Sequence, residues 1–298
     1  MRMPDQVKVR GAAEVDSPPR PAWLEESIRR CEGRWIEGST GGLKLCVFES
    51  TGHRVIRARI ENADALNDDE FQAATIAAYG DIARELRAAP AHHVVRMWNY
   101  IPDIHRPCQN GLDRYMVFNA GRFKACQAWL GNNGNGGFEE QLPTASGVGH
   151  AGDDLVIDAL GMPFKGLAVE NPRQTPAYQY SAHYGPRPPC FARAMITPPF
   201  GSRPARLLVG GTASVRGEQS VHAADLAAQI KETLENLASL LRAALRVYHP
   251  RIGDGAAILR SLRQRFAKRT RIEFMTATLC RKELLVEIEG VASGGRKA

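Results

Sequence analysis

The sequence predicts an α+β protein made of two similar halves, each a mixed sheet backed by long helices. Three observations carry this expectation. Strand-like segments are short and interrupted by helices without the regular strand–helix rhythm of a doubly wound sheet. A hairpin followed by a long amphipathic helix fills residues 44–90, and a second long helical pattern at residues 223–245 holds the matching place later on. With 298 residues, 44% apolar and 24% charged, the chain can bury a substantial core.

The first 21 residues, MRMPDQVKVRGAAEVDSPPRP, mix charges with prolines where a signal peptide would have an apolar run, so 1–21 is expected to be a flexible leader. Residues 44–49 and 54–60 read as strands around Ser50-Thr51-Gly52-His53, a hairpin signal. Asn67 and Asp68 can cap the helix that follows, in which Phe71, Ala74, Ala78, Tyr79, Ile82 and Leu86 share a face until Pro90. Residues 94–99 and 115–119 look like further strands. The GNNGNGG run at 131–137 matches neither GxGxxG nor GxxxxGK[ST], so it predicts a turn-rich loop rather than a phosphate cradle. A boundary near residue 140 then separates an N-terminal α+β domain, 22–140, from a C-terminal one, 141–298.

In the second half, 155–160, 191–196 and 206–210 are strand-like. The helix predicted over 223–245 carries Leu226, Ile230, Leu234, Leu237, Leu241 and Leu245 at helical spacing, while 247–249 is a candidate strand abutting its end. A shorter helix at 256–267 leads to strands at 271–278 and 284–291. The halves share a pattern but no sequence repeat.

Composition narrows the function classes. The six cysteines form no CxxC pair, and the apolar runs fall far short of the ~20 residues of a membrane span, pointing to a reducing, cytoplasmic setting and no membrane partner. The net charge of +7 is scattered and suits an anionic small molecule as well as a nucleic acid. No HExxH or Cys/His quartet is present, so no metal site is expected. Around Ser146, Thr144 and Val148 stand where a GxSxG nucleophile elbow needs glycine.

Arginine beside aromatic residues remains: Arg122, Arg173, Tyr178, Tyr180, Tyr184, Arg187 and Arg193. Guanidinium groups grip carboxylates bidentately and phenols add donors at low entropic cost, so the set suits a small anionic substrate. A proline-rich structural wrap is the bland alternative. Nucleic-acid binding is disfavoured, because no recognition helix or RNA-binding motif surrounds the segment. In the last strand, period 2 puts Leu284, Val286 and Ile288 on one face and Leu285, Glu287 and Glu289 on the other. That second face is either solvated or presents a carboxyl to a pocket, where a raised pKa would make it an acid.

The ordered blocks RMWNYIPDI (96–104), DRYMVFNAGR (113–122), PTASGVG (143–149), VENPRQTPAYQY (169–180), YGPRPPCFARA (184–194), GGTASVRGEQSVH (210–222) and LCRKELLVEIEG (279–290) resemble the chorismatase family over about residues 22–292. The resemblance implies cleavage of the enolpyruvyl ether of chorismate, with no metal or organic cofactor, on a fold similar to the reactive-intermediate deaminase-like (chorismate mutase-like) superfamily. It matches Arg122, Tyr180 and Arg193 to substrate-binding positions and Glu287 to the catalytic acid, most of the active site thus falling in 141–298. Gly217 and Cys280 match positions that set the product, and this pair is similar to the 3-hydroxybenzoate type. Other members give 4-hydroxybenzoate, a mixture of the two, or a dihydroxycyclohexadiene carboxylate. An imine deaminase-like enzyme and a non-catalytic binding module are the remaining rivals. The stretch from Leu241 to Arg271 is shorter than is usual in the family, which leaves the oligomeric state open.

Overall fold

The computed structural model describes residues 9–10, 17–50, 52–90, 92–131, 137–199, 205–240, 244–265 and 272–293. After a short strand β1 (Val9–Arg10) and helix α1 (Ala22–Ile28) come β2 (Gly33–Glu37), β3 (Leu43–Ser50) and β4 (His53–Ile60), the last two forming the expected hairpin. Helix α2 (Asp68–Arg87) starts at a capping box: Asn67 Oδ1 accepts from Glu70 N and Glu70 Oε2 accepts from Asn67 N, both at 3.0 Å. Strand β5 (His93–Pro102) follows.

Residues 115–119, expected as a strand, lie instead in helix α3 (Arg114–Leu130). Tyr, Val and Phe favour strands in isolation, but Asp113 caps the segment by accepting from Met116 N at 2.8 Å, and Val117, Phe118, Ala125 and Cys126 bury their side chains in the core shared with α2. Tertiary packing overrides the local preference. Strands β6 (Thr144–His150) and β7 (Leu155–Met162) complete the first sheet, in the order β2-β3-β4-β7-β5-β6. The first sheet thus ends with Met162, and the strands that follow belong to the second.

The second sheet uses β8 (Leu167–Val169), β9 (Ala194–Thr197), β10 (Arg206–Ala213), β13 (Ala244–His249), β14 (Ile272–Thr276) and β15 (Glu287–Ser293), with a small ribbon of β11 (Val215–Arg216) and β12 (Gln219–Ser220) beside it. Its order is β1-β14-β13-β15-β10-β9-β8. Helix α4 (Leu226–Ala238) ends earlier than the heptad-like leucines suggest, and Leu245 belongs to β13. The cause is visible downstream: Val247 and Tyr248 alternate between opposite faces of the sheet, a period the helix cannot satisfy. Leu241 lies outside the described residues, as do 132–136 of the glycine-rich run and most of the leader. Helix α5 (Gly255–Arg265) precedes β14.

In space the layers run helix, sheet, sheet, helix. Helices α2 and α3 cover one face of the first sheet, and α4 and α5 cover one face of the second. Between the sheets lie Trp98, Tyr100, Val148, Val156, Leu208, Ala213, Tyr248 and Met275, joined by Leu24 and Ile28 of α1. The sheets touch along β6, where Gly149 N donates to Thr278 O at 2.7 Å and Ala192 N to Pro143 O at 3.0 Å. No helix among the described residues is long and apolar enough to cross a membrane.

Candidate active site

Where the two sheets meet, a cavity of about 350 Å³ opens, lined from α3, β6, the 174–193 wrap, β10 and the segment entering β15. It brings together Arg122, Tyr180, Arg193, Cys280 and Glu287, residues spread over most of the sequence. Chain topology explains the convergence. The one-layer alternation that sends Val286 and Ile288 toward α4 and α5 turns Glu287 and Glu289 toward the first sheet. That face is not solvated: Glu287 and Glu289 are 4% and 3% exposed.

Glu287 sits against Gly211, where an added Cβ would fall 1.9 Å from the Glu287 carboxyl oxygen Oε1. Only glycine leaves room for the carboxyl here, and the register of β10 against β15 shifts at this point, between Val209 and Thr212. Burial, and then the charge of Glu289, push the Glu287 carboxyl up to about 8, against the opposing pull of Arg96 and Arg193. Burial, and then Glu287, push the neighbouring Cys280 thiol up to about 12, so it is a neutral wall and not a nucleophile.

The cationic side of the cavity is prearranged. Arg193 Nη2 donates to Tyr180 Oη at 2.7 Å and to Thr175 O at 2.9 Å, and its guanidinium lies 5.2 Å from the Phe191 ring centre. Arg122 Nη2 donates to Asn119 Oδ1 at 2.8 Å, with the guanidinium between the rings of Phe118 and Phe191. The Nε groups of both arginines, and Asn119 Nδ2, are buried with no hydrogen-bond partner among the described residues. Two buried cations with spare donors beside one protonated acid suit a compact anion carrying more than one carboxylate.

The remaining arginines and tyrosines of the wrap divide by role. Arg173 bonds Glu232, Glu235 and Asn236 of α4, which anchors the segment. Arg187 lies over Phe123, and Tyr178 packs on the first-half core. Tyr184 does line the cavity, and Arg281 stacks 4.0 Å from its ring centre. Gly217 stands apart from its sequence partner Cys280: it is not on the cavity wall. It forms the β11–β12 turn at φ 59°, accepts from Thr175 N at 2.9 Å and donates to Arg173 O at 3.0 Å. It thus reaches the site through the backbone on either side of Gln174, which is on the wall.

Sequence reasoning alone passed over Tyr115, Ser146, Gly211 and Arg281, all of which line the cavity. Ser146 stood out only at the centre of a missing hydrolase elbow, and Tyr115 only within a strand-like run. Their signal was position within the blocks DRYMVFNAGR, PTASGVG, GGTASVRGEQSVH and LCRKELLVEIEG. Among the described residues no group of three or more His, Cys, Asp or Glu could hold a metal ion.

Comparison with known proteins identifies the family. Residues 33–161 match the family described as chorismatase FkbO/Hyg5-like, N-terminal. A 3-hydroxybenzoate synthase of Streptomyces hygroscopicus is 34% identical over 248 residues, covering 74% of this chain and 69% of the relative. A chorismatase of Streptomyces rapamycinicus is 31% identical over 242 residues, covering 75% and 71%. A crystal structure of a chorismatase superposes with a TM-score of 0.73 at 26% identity, covering 87% of this chain and 80% of that one. The chain belongs to the chorismatase family.

Proposed function

We propose that this protein cleaves chorismate to pyruvate and 3-hydroxybenzoate, with Glu287 as the proton donor. The observation that carries the proposal is a buried carboxyl, pushed up to about 8, in one cavity with Arg122, Arg193 and Tyr180.

Chorismate carries two carboxylates, and each charge-assisted bond to a buried guanidinium contributes about 1.5–3 kcal/mol. Arg193 with Tyr180 and, separately, Arg122 offer two such grips. Glu287 gives its proton to the enolpyruvyl methylene carbon, leaving an oxocarbenium-like centre and weakening the ether bond to ring C3. The substrate's own C4 hydroxyl oxygen then takes C3 as that bond breaks, and pyruvate departs with the former ether oxygen as its keto group. The hydroxyl proton returns to the Glu287 carboxylate, and the arene-oxide-like ring opens at its C4–O bond, losing the C3 proton as the oxygen gains one, to give 3-hydroxybenzoate. No water is consumed and no redox partner is needed, so atoms and charge balance.

The neutral Cys280 thiol supports this product over the hydrolytic one, because it lines the wall beside Glu287 without offering a charged anchor for an attacking water. All six cysteines are free thiols, which supports a reducing, cytoplasmic setting. Glu287→Gln keeps shape and removes the acid: turnover should be abolished while chorismate affinity, read by calorimetry, stays within a few-fold. An active Glu287→Gln enzyme would rule out the assignment.

A further inference from the structure

Glu289 follows Glu287 by two residues on the same face of β15, at about 6.7 Å in an extended strand. It does not touch the cavity, yet it is the more elaborately held of the two. Its Oε2 accepts from Arg96 Nη2 and Ser146 Oγ at 2.5 Å each, and its Oε1 accepts from Trp98 Nε1 at 3.0 Å. Arg96 is fixed in turn: it donates to Met97 O at 2.7 Å and to Ser146 Oγ at 2.6 Å, and lies 4.6 Å from the Trp98 ring centre. Every partner comes from the first sheet. An ion pair closing the sheet interface needs no such cage around one carboxylate, and replacing such pairs by apolar groups is often harmless to stability.

We propose that Glu289, caged by Arg96, Ser146 and Trp98, is a positioning residue whose fixed negative charge keeps Glu287 protonated and ready to donate. The inference rests on the assignment of Glu287 as the acid. The other charged or titratable groups facing Glu287 are Arg96 from β5, Arg193 before β9, Cys280 on the approach to β15, Tyr115 from α3 and Tyr248, its register partner on β13. Arg96 and Arg193 favour the ionised acid, and burial and Glu289 oppose it. Glu289 is the only other carboxyl in this set, and its bonds to Arg96, Ser146 and Trp98 keep it from swinging away from its neighbour.

The test is the alkaline limb of the kcat/KM profile for chorismate, whose carboxylates are ionised throughout. Glu289→Gln should move that limb down by about one pH unit, with activity approaching the wild type at pH 6. A merely structural residue would lower activity equally at every pH and leave the limb in place, and that result overturns the proposal. If Glu289→Gln does not fold because Arg96 is left unpaired, the double variant Glu289→Gln/Arg96→Met removes both buried charges. Its limb should also lie below the wild type, by a smaller interval, because Glu289 outweighs Arg96 at Glu287. A limb at or above the wild-type position in the double variant overturns the proposal. Retained turnover in Glu287→Gln would instead refute the acid assignment, whatever the Glu289 variants show.

Discussion

Arg193 donates from Nη2 to the phenol oxygen of Tyr180 at 2.7 Å. Because the phenol accepts this bond, its own O–H proton is left to donate to a third group, and both side chains line the cavity. The pair therefore presents two donors from one fixed unit, with little entropy left to lose on binding.

Tyr180→Phe keeps the ring against Arg193 and Arg281 and removes only the hydroxyl. KM for chorismate should rise about tenfold or more with kcat changed much less, as expected for one lost hydrogen bond to a carboxylate. Arg193→Lys should cost more, since lysine cannot serve Thr175 O, Tyr180 and the substrate from a planar fork. Steady-state kinetics with pyruvate detection separate the two.

Gly211→Ala places a methyl group where the Glu287 carboxyl now rests. The carboxyl must swing aside, and a displacement of about 1 Å at a reacting group lowers kcat by roughly 100-fold. The circular dichroism spectrum should stay native. Wild-type kcat in Gly211→Ala would show that Glu287 does not act from this position.

Glu287 also leaves a signature in folding. Its carboxyl is pushed from the ordinary 4.5 up to about 8 in the native state, so the folded protein holds a proton that the unfolded chain releases sooner. The stabilising contribution is complete below about pH 4.5 and is lost as pH rises toward 8, at up to about 1.4 kcal/mol per pH unit. Urea unfolding across that window should show a flatter slope in Glu287→Gln than in the wild type.

Cys280→Ala opens space on the wall beside Glu287. A water admitted there competes with the substrate's C4 hydroxyl, so a dihydroxycyclohexadiene carboxylate should appear beside 3-hydroxybenzoate, at unchanged pyruvate yield. Chromatography of the products reads the ratio. Gly217→Ala tests the more distant position: its φ of 59° disfavours a side chain, and the strain reaches the cavity wall through Thr175 and Gln174.

The helix α2 and the hairpin before it were legible because their signals are local: a capping residue, a six-residue apolar face and a turn. The segment 115–119 was not, since its strand-forming residues are overruled by a cap at Asp113 and by packing against α2. The end of α4 was hidden for a similar reason, the leucine spacing continuing past the point where pairing with β14 and β15 takes over. Period 2 placed Glu287 and Glu289 on one face, but pattern alone makes such a face look solvated; only the second layer of sheet shows that it is an interior. Arg122, Tyr180 and Arg193, singled out by chemistry and family likeness together, share one cavity wall. The Glu289 cage depends on Arg96, Trp98 and Ser146, brought in from strands far away in sequence, and no local pattern announces it.

A cavity that holds its own acid and two guanidinium grips should cleave chorismate with nothing else added. Purified protein incubated with chorismate, with pyruvate assayed enzymatically and the aromatic product identified by mass and retention, tests it most directly. Pyruvate and 3-hydroxybenzoate should form in equal amounts; folded protein that releases no pyruvate would overturn the assignment of this cavity to chorismate cleavage.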